Sequence, residues 1–124
     1  MLRVLLVDDQ ELFRDIARSM FSGSDDFEVI AEAEDGLDAV SAYLDLNPDL
    51  VLMDVQMARM NGLEATREIL KRDPEACVVI TSMRSEPEYQ RLASDMGAVG
   101  FISKRELNLS SLCDILGGAV QAVA

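Results

Sequence analysis

The chain contains no histidine, which excludes histidine-based catalytic triads, zincin-type sites and every imidazole metal ligand. Cysteine is nearly absent too. Cys77 and Cys113 stand far apart in apolar settings, so they form no disulfide framework and read as reduced core residues of a cytoplasmic protein. Basic residues are scarce: 11 Lys and Arg against 23 Asp and Glu give a formal charge of −12. Such a chain repels phosphate backbones, so it is expected to contact no nucleic acid itself. No apolar run approaches the ~18 residues of a membrane span, and no membrane partner is expected. The opening Met1-Leu2-Arg3-Val4 leads into strand-like sequence rather than a signal peptide.

The 124 residues suit one domain, and an apolar share of 49% supplies a core. Residues 2–7 form a short, almost unbroken apolar run that stops at Asp8-Asp9, the pattern of a strand buried on both faces. Residues 11–21 change to helical spacing, with Leu12, Phe13, Ile16, Ala17, Met20 and Phe21 expected inward. A more polar strand follows at 28–33, then a helix capped by Asp35 with Leu37, Val40, Tyr43 and Leu44 inward. Leu50 to Met53 is the most apolar run, taken as the central strand, and ends at Asp54. A loop from Gln56 to Gly62 precedes a third helix, 63–72. Strand 77–80 ends at Thr81-Ser82. Ser85, Pro87 and Glu88 mark the start of a fourth helix, which Gly97 ends. Strand 99–102 ends at Ser103-Lys104, and a last helix starts at Asn108. Five strands alternating with five helices predict an α/β fold, a (βα)5 flavodoxin-like doubly wound parallel sheet. Strand order 2-1-3-4-5 fits best, because the polar second strand suits an edge.

Ligands of such sheets bind beyond the carboxyl ends of the strands. Those ends carry Asp8 and Asp9, Asp54, Thr81 with Ser82, and Lys104. Singly, each reads as a cap, a turn or a solvated charge. Together, at four same-side strand ends, they define a crevice. Three neighbouring carboxylates repel unless a cation lies among them, and an all-oxygen set suits Mg²⁺. A carboxylate beside Mg²⁺ is a nucleophile toward phosphorus. Asp54, on the most buried strand, is the best-placed nucleophile, with Asp8 and Asp9 holding the metal. A Lys ammonium and a Thr hydroxyl stabilise developing phosphoryl charge.

Val7-Asp8-Asp9, Leu52-Met53-Asp54-Val55-Gln56-Met57, Met60-Asn61-Gly62, Thr81-Ser82 and Phe101-Ile102-Ser103-Lys104 resemble the receiver domain of two-component response regulators. The resemblance spans the chain, residues 1–124. Gln10 to Arg14, Ala31 to Gly36 and Gly62 to Arg67 are similar to receivers of the LuxR-type (NarL/FixJ-like) subfamily, which normally precede a helix-turn-helix DNA-binding domain. The resemblance implies that Asp54 is phosphorylated by a sensor histidine kinase. Asp9, Asp54 and the Gln56 carbonyl would bind Mg²⁺, and Asp8 would act mostly through water. Thr81 would close on the phosphoryl group, Lys104 would pair with it, and Phe101 would be the aromatic switch. The family's dimers imply a homodimer through helix 4–strand 5–helix 5, with Arg84, Tyr89 and Arg91, or through helix 1–helix 5.

The pattern departs from the family at Met57-Ala58, where many receivers have Met-Pro, and at Arg105, where many have Pro. Ala58 leaves the loop less stiff, and Arg105 disfavours a cis bond. Arg14 and Arg18 read equally as a kinase contact and as a solvated face. A phosphatase of the haloacid-dehalogenase type is disfavoured by Gln56, which stands where a second Asp is needed. A flavodoxin is disfavoured by Asp8-Asp9 in its phosphate loop. A receiver that works unphosphorylated, as an interaction domain, is the remaining alternative. The domain would not be an enzyme beyond its own phosphorylation and dephosphorylation.

Overall fold

The computed structural model describes residues 1–83 and 87–117. The strands are β1 (Leu2–Val7), β2 (Phe27–Ala33), β3 (Leu50–Asp54), β4 (Val78–Ser82) and β5 (Gly100–Ser103). The helices are α1 (Glu11–Ser22), α2 (Gly36–Leu46), α3 (Gly62–Arg72), α4 (Pro87–Asp95) and α5 (Leu109–Leu116), with a 3-10 turn at Lys104–Glu106. All strand pairings are parallel, in the order β2-β1-β3-β4-β5. The expected fold and strand order are those observed. The Ser85 cap, Arg84 and the end of the chain after Gly117 lie outside the described residues.

The alternation of side chains along a strand explains how one apolar run serves two cores. Val4, Leu6, Leu50, Leu52, Val79 and Ile102 face one way, against Ala17 and Phe21 of α1 and Leu112 of α5. Leu5, Val7, Val51, Met53, Val78 and Ile80 face the other, against Ala39, Leu63, Ile69 and Ala93 of α2, α3 and α4. Every residue of β3 and β4 is buried, as expected for strands covered on both faces.

Two helices meet the expectation in part: Phe13, Ala17, Met20 and Phe21 of α1 and Val40 and Tyr43 of α2 pack into the cores, but four of the expected residues do not. On α1, Leu12 and Ile16 are 72% and 57% exposed, whereas Arg14, Ala17 and Phe21 are buried. The cause is Arg14. Its guanidinium reaches the Asp8 carbonyl at 2.6 Å and Glu32 at 2.9 Å, and these bonds turn the helix toward the Arg14 stripe. On α2, Leu37 and Leu44 are exposed, whereas Gly36, Ala39 and Tyr43 face in. Here close approach demands small residues. A Cβ on Gly36 would lie 2.3 Å from the Met60 carbonyl oxygen. Cys77 and Cys113 are free and half-buried, so they line the core rather than fill it.

The start of α3 touches the end of β3. A Cβ on Gly62 would lie 1.8 Å from the Asp54 carbonyl oxygen, so only glycine allows this helix so near. Gly62→Ala is expected to cost ~3 kcal/mol, the upper range for overpacking, because backbone must move. Urea denaturation checks this. An unchanged midpoint would contradict the contact.

Candidate functional site

The same alternation delivers the site. Val4, Leu6 and Asp8 keep one phase, as do Leu50, Leu52 and Asp54, Val79 and Thr81, and Ile102 and Lys104. The polar residues extend the α1/α5-facing core to the carboxyl ends of β3 and β4, at Asp54 and Thr81, and just past those of β1 and β5, at Asp8 and Lys104. Asp9, Gln10, Asp54, Gln56, Met57, Ser82, Met83 and Lys104 line a cleft of ≈ 320 Å³ there. A larger cleft of ≈ 550 Å³ lies between α1 and β2, around Arg18, Phe21 and Phe27. Volume does not select the site. The smaller cleft gathers carboxylates around one ammonium, and the larger one gathers no such set.

Asp8 and Asp54 are buried, and Asp9 is exposed at the rim. Each offers a carboxylate oxygen within 4.8 Å of the others. Lys104 Nζ lies 2.6 Å from Asp8 Oδ2 and 3.3 Å from Asp54 Oδ1. It also sits 4.4 Å over the Phe13 ring, a cation–π contact that holds the ammonium from below. Asp8 Oδ1 accepts the Gln10 N–H at 2.8 Å. Asp8 Oδ2 lies 2.6 Å from the ammonium but makes no aligned hydrogen bond among the described residues. A buried carboxylate oxygen with spare lone pairs, beside two further carboxylates, fits a small hard cation such as Mg²⁺.

Burial is the largest cause of a raised Asp54 pKa, at about 6. The Asp8 charge raises it further, Lys104 opposes, and Asp9 adds to the rise. Thr81 is buried, pairs in register with Asp54, and accepts the Val55 N–H at 3.1 Å through its carbonyl. The cleft wall beside it is Ser82, which the sequence places at the same strand end. Phe101 is half-buried, in register with Ile80, and packs against the α2–α4 core. Asp8, Asp9, Asp54, Gln56 and Lys104 therefore come together. Thr81 adjoins Asp54 along the sheet, and Phe101 lies on the other face.

Arg14 is the residue that sequence reading placed least well. Its bond to the Asp8 carbonyl steadies the β1–α1 turn, and Arg18 pairs with Glu32 and Asp15 beside it. A signal existed in the acidic alternation of Glu32 on the edge strand and Glu34 just after it.

A family model for the response regulator receiver domain matches residues 4–116. The chain belongs to this family. The transcriptional regulatory protein DegU of Brevibacillus brevis is 34% identical over 123 residues, 99% of this chain and 50% of DegU. The chain thus spans about half the length of that relative. The chemotaxis protein CheY of Listeria monocytogenes is 41% identical over 104 residues, 84% of this chain and 87% of CheY. A two-component response regulator of the LuxR family from Aurantimonas has a similar structure, with TM-score 0.88, 29% identity and coverage of 98% and 86%. LuxR-type receivers are therefore among this receiver's neighbours, and chemotaxis receivers are too. No helix among the described residues is long and apolar enough to cross a membrane.

Because Asp54 is harder to ionise in the folded receiver than in the unfolded chain, its charge destabilises the fold above pH 6. The penalty is absent below pH ~4, grows between pH ~4 and ~6, and is complete above that. Asp54→Asn in chelator is therefore expected to gain about 1–2 kcal/mol at pH 7.5 and nothing at pH 4. Urea titrations at the two pH values check this. An equal effect at both would refute the raised Asp54 pKa as its origin.

Proposed function

We propose that this receiver is the phospho-acceptor switch of a two-component system, with Asp54 taking a phosphoryl group from a phosphohistidine of a sensor histidine kinase. The observation that carries this reading is the gathering of Asp8, Asp9 and Lys104 around the Asp54 carboxylate. An Asp54 oxygen attacks phosphorus, the phosphorus–nitrogen bond breaks, and the leaving imidazole keeps the electron pair and takes a proton. At neutral pH a carboxyl of pKa about 6 is mostly ionised and so nucleophilic. Asp9, Asp54 and the Gln56 carbonyl, with Asp8 behind them, would hold Mg²⁺, which would supply charge neutralisation for the transferring group.

Lys104 is already desolvated beside Asp54. It exchanges part of its pairing with carboxylate for pairing with the new phosphoryl oxygens. Thr81 donates its hydroxyl to the same group, and Phe101 shifts as β4 rearranges. The balance between two conformations moves accordingly, and no turnover of an external substrate is involved.

Transcription is the output this reading favours, supported by the similarity to DegU and to a LuxR-family regulator. A helix-turn-helix domain elsewhere in the parent protein would then touch DNA, because a domain of charge −12 is ill-suited to it. The setting is the cytoplasm. Homodimers form through α4–β5–α5, where Tyr89 and Arg91 lie, or through α1–α5.

Intact mass measurement after incubation with acetyl phosphate tests the reading. One added phosphoryl group is expected, requiring both Mg²⁺ and Asp54, and absent in Asp54→Asn. No adduct, together with no spectral response to beryllofluoride, would leave the phosphorylation-independent interaction domain as the better account.

A further inference from the structure

The loop between β3 and α3, residues 55–61, forms one wall of the cleft through Gln56 and Met57. Its base is closed by the Gly62 N–H on the Val55 carbonyl at 2.8 Å. Its far side is pinned by the Gly36 N–H on the Met60 carbonyl at 2.9 Å. Between these points Ala58 leaves φ unrestricted, and the Met60 N–H turns back onto the Ala58 carbonyl at 2.8 Å. Arg59 then adopts φ +65°, the left-handed region that residues with long side chains seldom occupy. Such a conformation persists where the surroundings hold it.

Here the surroundings are two carboxylates at the start of α2, one on its cap residue and one in its first turn. Arg59 Nε donates to Asp35 Oδ2 at 2.7 Å, and a terminal nitrogen lies 2.6 Å from the same oxygen. That nitrogen also donates to Asp38 Oδ1 at 3.2 Å. Asp35 is itself fixed. It is 8% exposed, and its Oδ1 accepts the Asp38 N–H at 2.9 Å, capping α2. Burial pushes its pKa up, but the Asp38 N–H and the Arg59 guanidinium together outweigh burial and hold it below the ordinary range. One buried carboxylate therefore ties the start of α2 to the outermost point of the loop.

We propose that Arg59 is a positioning residue for cation binding and phosphoryl transfer: its clamp on Asp35 and Asp38 fixes the loop that carries Gln56 beside Asp9 and Asp54. The inference rests on the reading above that the cleft takes a divalent cation. A backbone carbonyl has no side-chain torsions to adjust, so the loop alone decides where it points. A loop already held loses less conformational entropy when the cation arrives. The clamp ends on an exposed guanidinium, and exposed ion pairs add little to global stability. Its effect belongs in cation affinity and not in melting.

The test is calorimetric titration of Mg²⁺, with no phosphodonor, into the wild-type chain and into Arg59→Gly and Arg59→Lys. Glycine accepts the same left-handed backbone, so Arg59→Gly removes the clamp without adding strain. Arg59→Gly is expected to bind Mg²⁺ roughly threefold to tenfold more weakly, below the ~10-fold to 100-fold of residues that bond a metal ligand directly, because Arg59 acts through the loop. Arg59→Lys should recover part of that loss. The metal-free melting temperature should move by less than roughly 3 °C. Labelling by acetyl phosphate should slow at limiting Mg²⁺ and recover at saturation. Wild-type affinity in Arg59→Gly would overturn the proposal. So would a weakening matched by a large fall in melting temperature, which would mark a merely structural role. Failure of the wild-type chain to bind Mg²⁺ would instead refute the phospho-acceptor reading on which the proposal stands.

Discussion

Three carboxylates share one small cleft with a single ammonium, and much of the structure serves that crowding. Two of the carboxylates, Asp8 and Asp54, are buried, and Lys104 lies against both. Without the ammonium their repulsion would act at short range in a poorly screened setting. With it, one positive charge offsets only part of the negative charge, and Asp54, buried as well, still ionises reluctantly. The folded domain thus stores an electrostatic demand for a cation. A site of this kind trades some stability for function.

The supports around that cluster are rigid for a physical reason. Side chains at strand ends inherit the position of the sheet, and the sheet is fixed by two packed cores. Phe13 lies under the Lys104 ammonium, and Arg14 ties the turn after β1 by bonding the Asp8 carbonyl. Gly62 lets α3 begin against the Asp54 backbone, so Asp54 cannot drift on that side. In the β3–α3 loop, where Ala58 does not fix the backbone, a charged clamp reaches Asp35 and Asp38 at the start of α2.

Most of the site was legible because it follows from strand periodicity. Asp8, Asp54, Thr81 and Lys104 each continue an alternation already visible in the apolar runs, and parallel strands bring their carboxyl ends to one edge. The helix faces were less legible. Leu12 and Ile16, like Leu37 and Leu44, fit an inward stripe at helical spacing, yet they are exposed. A helix with apolar residues on more than one face leaves its rotation undecided in the sequence. Arg14 finding the Asp8 carbonyl and Glu32 decided it for α1, and the close approach of Gly36 to Met60 decided it for α2.

The sequence by itself determined the elements, the parallel sheet, the strand order and the list of residues at the crevice. These depend on local period, turn chemistry and connection handedness, which are properties of neighbours in the chain. Only the tertiary structure decided that Lys104 lies against both Asp8 and Asp54, that Arg14 is buried, and that Arg59 reaches back to Asp35. Those contacts join residues 96, 50, 6 and 24 positions apart. Their strength depends on distance and burial in space, which no pattern along the chain encodes.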